Sequence, residues 1–155
     1  MNQPDVRLRD ATAADADVLL AWRNDAGTRA ASFNSEEIPR DGHVRWLAAK
    51  LNDPGCALLI IEAEGAAVGQ VRLDRSHEDP DVAEIHIALD LAARGRSIGR
   101  RALRAAVGEA KSRIGARRIE ARVKPENEAS LRAFEAAGFR LIGSDADVVK
   151  LVAEP

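Results

Sequence analysis

Val6-Arg7-Leu8-Arg9 alternates apolar and polar residues, the two-residue period of a half-buried strand. Thr12 followed three residues later by Asp15 has the form of a helix capping box, so a strand leads into a helix. In that helix Ala16, Leu19, Leu20 and Arg23 fall on neighbouring turns, and Asn24-Asp25-Ala26-Gly27 is expected to end it, because glycine suits a helix C-terminus. Pro39 opens a second helix with apolar positions Val44, Leu47 and Leu51, which stops before Asp53-Pro54-Gly55.

Two short apolar runs, Ala57 to Ile61 and Ala66 to Leu73, flank the turn Glu64-Gly65 and suit an antiparallel meander. After a break from Glu78 to Asp81, the β-branched residues of Glu84 to Leu89 favour another strand. Ile98 to Ile114 predicts a helix with Leu103, Ala106, Val107 and Ala110 on one stripe. Arg118 to Val123 alternates again, Asn127 to Ala137 predicts a short helix closed by Gly138, and two strands, Arg140 to Gly143 and Val148 to Val152, surround Ser144-Asp145. The order is β, α, α, β, β, β, α, β, α, β, β, with no repeat or linker. All 155 residues are therefore expected to form one α/β domain.

Composition narrows the function classes. A formal net charge of -2 gives no general reason to expect nucleic acid or an anionic membrane as partner. Cys56 is the only cysteine, which excludes an intrachain disulfide. Met1-Asn2-Gln3-Pro4-Asp5 lacks the charged start and apolar core of a signal peptide, and no apolar run approaches the ~20 residues of a membrane span. A soluble, cytoplasmic protein is expected.

The chemistry concentrates in Arg94-Gly95-Arg96-Ser97-Ile98-Gly99-Arg100, between a strand and a helix. Its glycines permit tight turning and its free amides gather at a helix N-terminus, which makes an anion cradle. No Gly-Lys-Ser/Thr follows and the third glycine of the dinucleotide fingerprint is missing, so a nucleoside triphosphate or NAD is disfavoured. A plain capping turn would use the same residues.

The loop resembles the Arg/Gln-x-x-Gly-x-Gly/Ala motif of GNAT acetyltransferases, with Ser97 where the usual form has its middle glycine. Asn127-Glu128-Ala129-Ser130-Leu131-Arg132-Ala133-Phe134-Glu135-Ala136-Ala137-Gly138-Phe139 is similar to that family's Asn-x-x-Ser-x-x-x-Tyr/Phe-x-x-x-Gly-Phe segment, although an N-capped amphipathic helix would read alike. The resemblance covers almost the whole chain. It implies a mixed, mostly antiparallel sheet of about six to seven strands, splayed at its centre, with four helices. It further implies acetyl-CoA as co-substrate in that opening, with no metal. Main-chain groups of Ile87, Ala88 and Leu89 would pair with the pantetheine arm and the loop would hold pyrophosphate. Asn127 and Ser130 would line the thioester end, and Arg132 would reach a CoA phosphate.

The same resemblance places Glu84 where many relatives carry a general base, and His86 shares its strand face. A solvated carboxylate and an ordinary sheet histidine are the alternatives. The chain has no tyrosine, so the phenolic acid of many relatives, at the place of Phe134, is absent here. Protonation of the CoA thiolate then falls to Ser130, to water or to solution. Trp22-Arg23-Asn24, Ser32-Phe33-Asn34, His43-x-x-Trp46 and Gly69 to Asp74 are similar to the GNAT branch acting on UDP-linked 4-amino sugars in pseudaminic acid biosynthesis. They are more loosely similar to ribosomal-protein N-terminal acetyltransferases. Trp22, Arg23, Asn34, His43, Trp46 and Arg72 are thus the expected acceptor-binding residues, with helix packing as the alternative for both tryptophans. The partner expected is a small-molecule amine. A protein N-terminus, a non-catalytic acyl-CoA-binding module and a homodimer stay open.

Overall fold

The computed structural model describes residues 5–155, so the signal-peptide reading of Met1 to Pro4 lies outside the described residues. Seven strands form one sheet in the order β1-β2-β3-β4-β5-β7-β6. β1 (Val6–Asp10), β2 (Cys56–Ala63), β3 (Ala66–Arg75) and β4 (Val82–Leu89) pair antiparallel in turn; a helical segment between Asp10 and Cys56 joins β1 to β2, and short connections join β2 to β3 and β3 to β4. β4 then pairs parallel with β5 (Arg118–Val123), which requires a long crossover, and α4 (Ile98–Ile114) supplies it. β7 (Val149–Ala153) lies between β5 and the edge strand β6 (Arg140–Ser144), antiparallel to both.

Strand alternation sorts side chains to two layers. Leu59, Ile61, Val71, Leu73, Ala83 and Ile85 face α4, whose buried stripe includes Ile98, Ala102, Leu103, Ala106, Val107, Ala110 and Ile114. On the other face Leu58 and Ile60 meet Leu19 and Trp22 of α1 (Ala16–Asn24) and Leu47 of α3 (Arg40–Leu51). The first layer is a closed apolar core. The second is smaller and leaves much of β3, β4 and β5 to polar side chains.

Two expectations change. Asp25-Ala26-Gly27 starts a helix as well as ending one: Asp25 accepts a hydrogen bond from the Thr28 amide at 3.0 Å and caps α2 (Ala26–Ala31). Local composition favours a stop there, but the capping carboxylate restarts the helix one residue on. In α3 the buried positions are His43 and Leu47, while Val44 and Leu51 are exposed. The helix is thus rotated from the expected stripe, which brings His43, Trp46 and Lys50 over the sheet. α5 (Glu128–Ala136) completes the fold, with Phe134 packed edge-on to Phe139 at 5.0 Å.

Asp15 pins α1 in place. It is buried, accepts two hydrogen bonds from Arg9 at 2.9 Å each, and accepts the Thr12 amide at 2.9 Å. Arg9 also reaches Glu62 of β2 at 3.2 Å, so one guanidinium ties β1, β2 and the start of α1. The Arg9 hydrogen bonds hold the Asp15 carboxyl below its ordinary pKa of 3.8, against the opposing effect of burial. A depressed folded-state pKa means stability that is present above about pH 4 and is lost as pH falls further. Asp15→Asn should lower stability by roughly 1.5–3 kcal/mol at neutral pH. Thermal denaturation of both proteins across pH should show the gap closing under acid; a constant gap would remove the ion pair from this account.

Candidate active site

β4 and β5 are paired only from Val82↔Arg118 to Glu84↔Glu120. Beyond that point β4 continues to Leu89, held on one side by β3 from Gly69↔Leu89 to Arg75↔Ala83. Strand alternation turns the main-chain groups of Ile85, Ile87 and Leu89 to the edge facing β5, where they have no strand partner, while those of His86 and Ala88 are turned to β3. Such groups need hydrogen bonds from elsewhere, and an extended ligand with amide groups can provide them. Of the three residues expected there, Ile87 and Leu89 face this edge, with the Leu89 carbonyl already accepting from Arg94, whereas Ala88 is corrected: its main-chain groups are turned to Gln70 of β3.

At the open end sits the glycine loop. Gly95 has φ +77° and Ser97 φ +63°, two left-handed residues bracketing Arg96 just before α4. This conformation turns the chain sharply at the start of α4, a nest-like geometry able to hold an anion. Ser97 adopts a backbone that glycine takes without cost, which explains the glycine in related loops. Gly99 is buried, and a Cβ there would meet Leu89 Cδ1 at 3.4 Å, so the helix start packs directly on the end of β4. Arg96 is half-exposed and 3.8 Å from Glu64, and Arg100 lies on the first turn of α4.

Arg94 is used differently. Its Nη2 donates to Asp25 Oδ2 at 2.7 Å, to Thr28 Oγ1 at 3.3 Å and to the Leu89 carbonyl at 3.1 Å. Gly27 makes room for it, because a Cβ there would lie 2.7 Å from Arg94 Nη1. The Arg94 side chain thus braces the loop against α2 and the end of β4.

On the sheet face under α1 and α3 runs a chain of charged groups. Lys50 donates to Asp74 Oδ1 at 2.8 Å and Arg72 to Asp74 Oδ2 at 2.6 Å. His86 Nε2 stands 3.7 Å from Asp74 and 3.5 Å from Glu84. Arg122 donates to Glu84 Oε1 through Nε at 3.1 Å and Nη2 at 2.9 Å, reaching back across the mouth of the opening. Burial, reinforced by Arg72 and Arg122, outweighs Glu84 and Asp74 and draws His86 down to about 4, so its imidazole is neutral at pH 7. Cys56, half-buried beside Asp74, has its thiol pushed up to about 12 by burial and is no nucleophile.

The expected acceptor residues divide. Arg23, His43, Trp46 and Arg72 do assemble: Arg72 lies 5.1 Å over the Trp46 ring, and His43 stacks 5.5 Å from it. Arg23 donates to the Asn34 carbonyl at 2.8 Å, while its Nη1 is buried with no partner. Trp22 must be corrected. It is 4% exposed in the core and its indole donates to Asp90 at 3.2 Å, so it has no face for a ligand and instead ties α1 to the end of β4. Asn34 is exposed and caps its own turn by accepting from the Glu36 amide at 3.2 Å.

Asn127 caps α5 through the Ser130 amide at 3.2 Å, and Ser130 follows on its first turn. Arg132 is exposed, 3.7 Å from Glu128. Phe134 is buried against Phe139, away from any proton-transfer role. Arg122 is not singled out by the sequence, and Gln70 and Phe33 fall within segments named there without being expected to bind; the Phe33 ring lies 5.4 Å from the Arg122 guanidinium. Alternation along β3 and β5 could have found the first two, since Gln70 shares a face with Arg72 and Arg122 with Glu120. No group of side chains among the described residues could hold a metal ion, and no described helix is long and apolar enough to cross a membrane.

The depressed His86 has a consequence for stability. The unfolded chain binds its proton near the ordinary 6.5 and the folded protein only near 4, so the folded state loses stability as pH falls through that interval. His86→Gln should flatten the fall in melting temperature over this range. A variant with the wild-type slope would show that His86 is not held neutral.

The sequence matches the Acetyltransferase (GNAT) domain family over residues 5–140. No curated protein matches the chain. Among solved structures, a ribosomal-protein-alanine N-acetyltransferase from Brucella melitensis is 26% identical, with TM-score 0.82 over 96% of this chain and 99% of that one. A Salmonella typhimurium protein solved with its cofactor acetyl-CoA is 22% identical, with TM-score 0.80 over 97% and 94%. A Vibrio cholerae spermidine N-acetyltransferase, in complex with CoA and spermine, is 17% identical, with TM-score 0.83 over 96% and 95%. A family match over most of the chain joins the split sheet and the glycine loop: this chain belongs to the GNAT acetyltransferases, enzymes that use acetyl-CoA.

Proposed function

We propose that the chain acetylates the amine of an anionic small molecule, a UDP-linked 4-amino sugar, by direct transfer in a ternary complex. The observation that carries this is the charge balance of the face under α1 and α3. Asp74 is paired with Lys50 and Arg72, Glu84 with Arg122, and Glu120 with Arg118 at 3.1 Å. Arg23, by contrast, has no carboxylate partner among the described residues, and burial, then Arg72 and Arg29, hold its guanidinium below its ordinary pKa. An uncompensated, partly buried guanidinium beside a second one favours an anion such as a diphosphate. The same field opposes polycationic amines. Trp46 is already engaged by Arg72 and His43, so the arginines rather than aromatic stacking support the nucleotide.

In this reading the β4 edge and the glycine loop hold acetyl-CoA through main-chain groups of Ile87, Leu89 and the residues from Gly95 to Arg100. Asn127, Ser130 and Arg132 stand at the α5 side. The thioester supplies the acetyl group; the chain must take a proton from the attacking amine. Arg122 fixes one oxygen of Glu84 and leaves the other to receive that proton, with neutral His86 as the alternative acceptor. The thiolate leaving group is protonated by Ser130, water or solution, since no phenol is present. A protein N-terminus is the second reading, favoured by the 26% identity to the Brucella melitensis enzyme.

Acetyl-CoA should raise the melting temperature by mass action. Gly99→Leu, which drives a side chain into Leu89, should abolish that shift, whereas Gly99→Ala should keep part of it. An intact shift in Gly99→Leu would place the phosphates elsewhere. Steady-state kinetics with UDP-linked 4-amino sugar, the nucleotide-free sugar, peptides and polyamines test the acceptor. Glu84→Gln should lower kcat by about 10²–10⁴-fold with acetyl-CoA affinity kept, and Arg23→Ala should raise the acceptor KM alone. Equal turnover of the nucleotide-free sugar would sink the nucleotide reading, and efficient peptide acetylation would replace it.

A further inference from the structure

Three buried side-chain polar atoms among the described residues have no hydrogen-bond partner: Arg23 Nη1, His43 Nδ1 and Gln70 Oε1. Native proteins satisfy about nine in ten such groups or more, so three on one side of one sheet call for an explanation. Arg23 lies on α1 and His43 on α3, close enough that the Arg23 charge adds to burial in holding the imidazole below its ordinary pKa. Gln70 belongs to the same layer. Its neighbour Val71 faces α4, so strand alternation turns Gln70 toward α1 and α3, as it does Arg72.

Gln70 stands opposite Ile60 of β2 and Ala88 of β4, which are 0% and 7% exposed. A carboxamide oxygen among such neighbours destabilises the unliganded protein, and methionine would fill the same space without that cost. Glutamine suits the position when a ligand donates to it. The place is also specific. Ala88 lies on the stretch of β4 whose other edge is open beyond Glu84↔Glu120, the edge proposed above for the pantetheine arm, so Gln70 is one strand away from that arm.

We infer that Gln70 is a specificity-determining residue that contacts the acceptor: its Oε1 accepts an N–H or O–H carried next to the reacting amine. This rests on the proposal that acetyl-CoA lies along β4 and the acceptor under α1 and α3. The ligand class follows from the chemistry. An amine with a hydroxyl or acylamino group on the adjacent carbon, as in an amino sugar, satisfies Gln70, whereas a simple alkylamine leaves its oxygen buried and unpaired. Arg23 Nη1 and His43 Nδ1 provide further polar contacts for the rest of the same molecule.

The test is Gln70→Met, of similar size and without the carboxamide. Acceptor and acetyl-CoA KM are measured on whichever of UDP-linked 4-amino sugar, peptide and free amino acid the wild type turns over fastest. That choice is itself the test of the acceptor reading, and the variant-to-wild-type ratio is the separate test of Gln70. The acceptor KM should rise about 10- to 100-fold with the acetyl-CoA KM unchanged, the effect of leaving a buried donor of the substrate unpaired. The ligand-free variant should melt at or above the wild-type temperature, because it loses an unsatisfied buried oxygen. An analogue of the acceptor lacking the adjacent donor should show the same KM with both proteins. An unchanged acceptor KM would overturn the inference, as would a lowered melting temperature with both KM values rising together, the mark of a packing role.

Discussion

The parting of β4 from β5 is the constraint on which the rest depends. Parallel strands joined through α4 pair for three residue positions and then separate, leaving the outer edge of β4 with backbone groups that must find partners. Three features converge on that edge. The start of α4 packs on its end through Gly99 and Leu89, the nest of Gly95 and Ser97 sits beyond it, and Arg94 locks the loop to α2. In the proposed reading these features hold a slot for an extended, amide-bearing, phosphate-terminated molecule before any ligand arrives, and the preorganised form lowers the ordering needed on binding.

The other face is where the proposed acceptor site lies. Apolar side chains from β2 to β5 are drawn toward α4, so Arg72, Asp74, Glu84, His86, Glu120 and Arg122 share the opposite side. Each carboxylate there is held by a cation, which fixes geometry and cancels negative charge, while Arg23 is left uncancelled. Neutral His86 between two carboxylates shows how strongly burial and the arginines act on this face. Amine chemistry benefits from that arrangement, since protonated amines are unreactive nucleophiles and a positive surround favours their neutral form.

Much of this was legible in the chain. Hydrophobic patterning and turn residues placed all seven strands, because alternation, a short apolar run or β-branched residues are local signals that need no distant partner. The glycine loop and the Asn127 to Phe139 segment carried the family resemblance, which the match over residues 5–140 bears out. What escaped depends on contacts far apart in sequence. α2 forms where Gly27 suggested an end, and Gly27 is explained only by Arg94, whose partner Asp25 is 69 residues away. Trp22 carries no mark that distinguishes a ligand platform from a core residue; its bond to Asp90, 68 residues on, decides the matter. Gln70 is unremarkable as a letter and becomes informative once its oxygen is seen to lack a partner.

The central claim is that the unpaired edge of β4, together with the glycine loop, is where acetyl-CoA binds. Hydrogen–deuterium exchange with and without acetyl-CoA addresses it residue by residue, because a main-chain amide that gains a hydrogen bond exchanges more slowly. The account predicts protection confined to Ile85, Ile87, Leu89 and the residues from Gly95 to Arg100, with β6 and β7 unaffected. Protection elsewhere, with the β4 edge exchanging at its ligand-free rate, would contradict it.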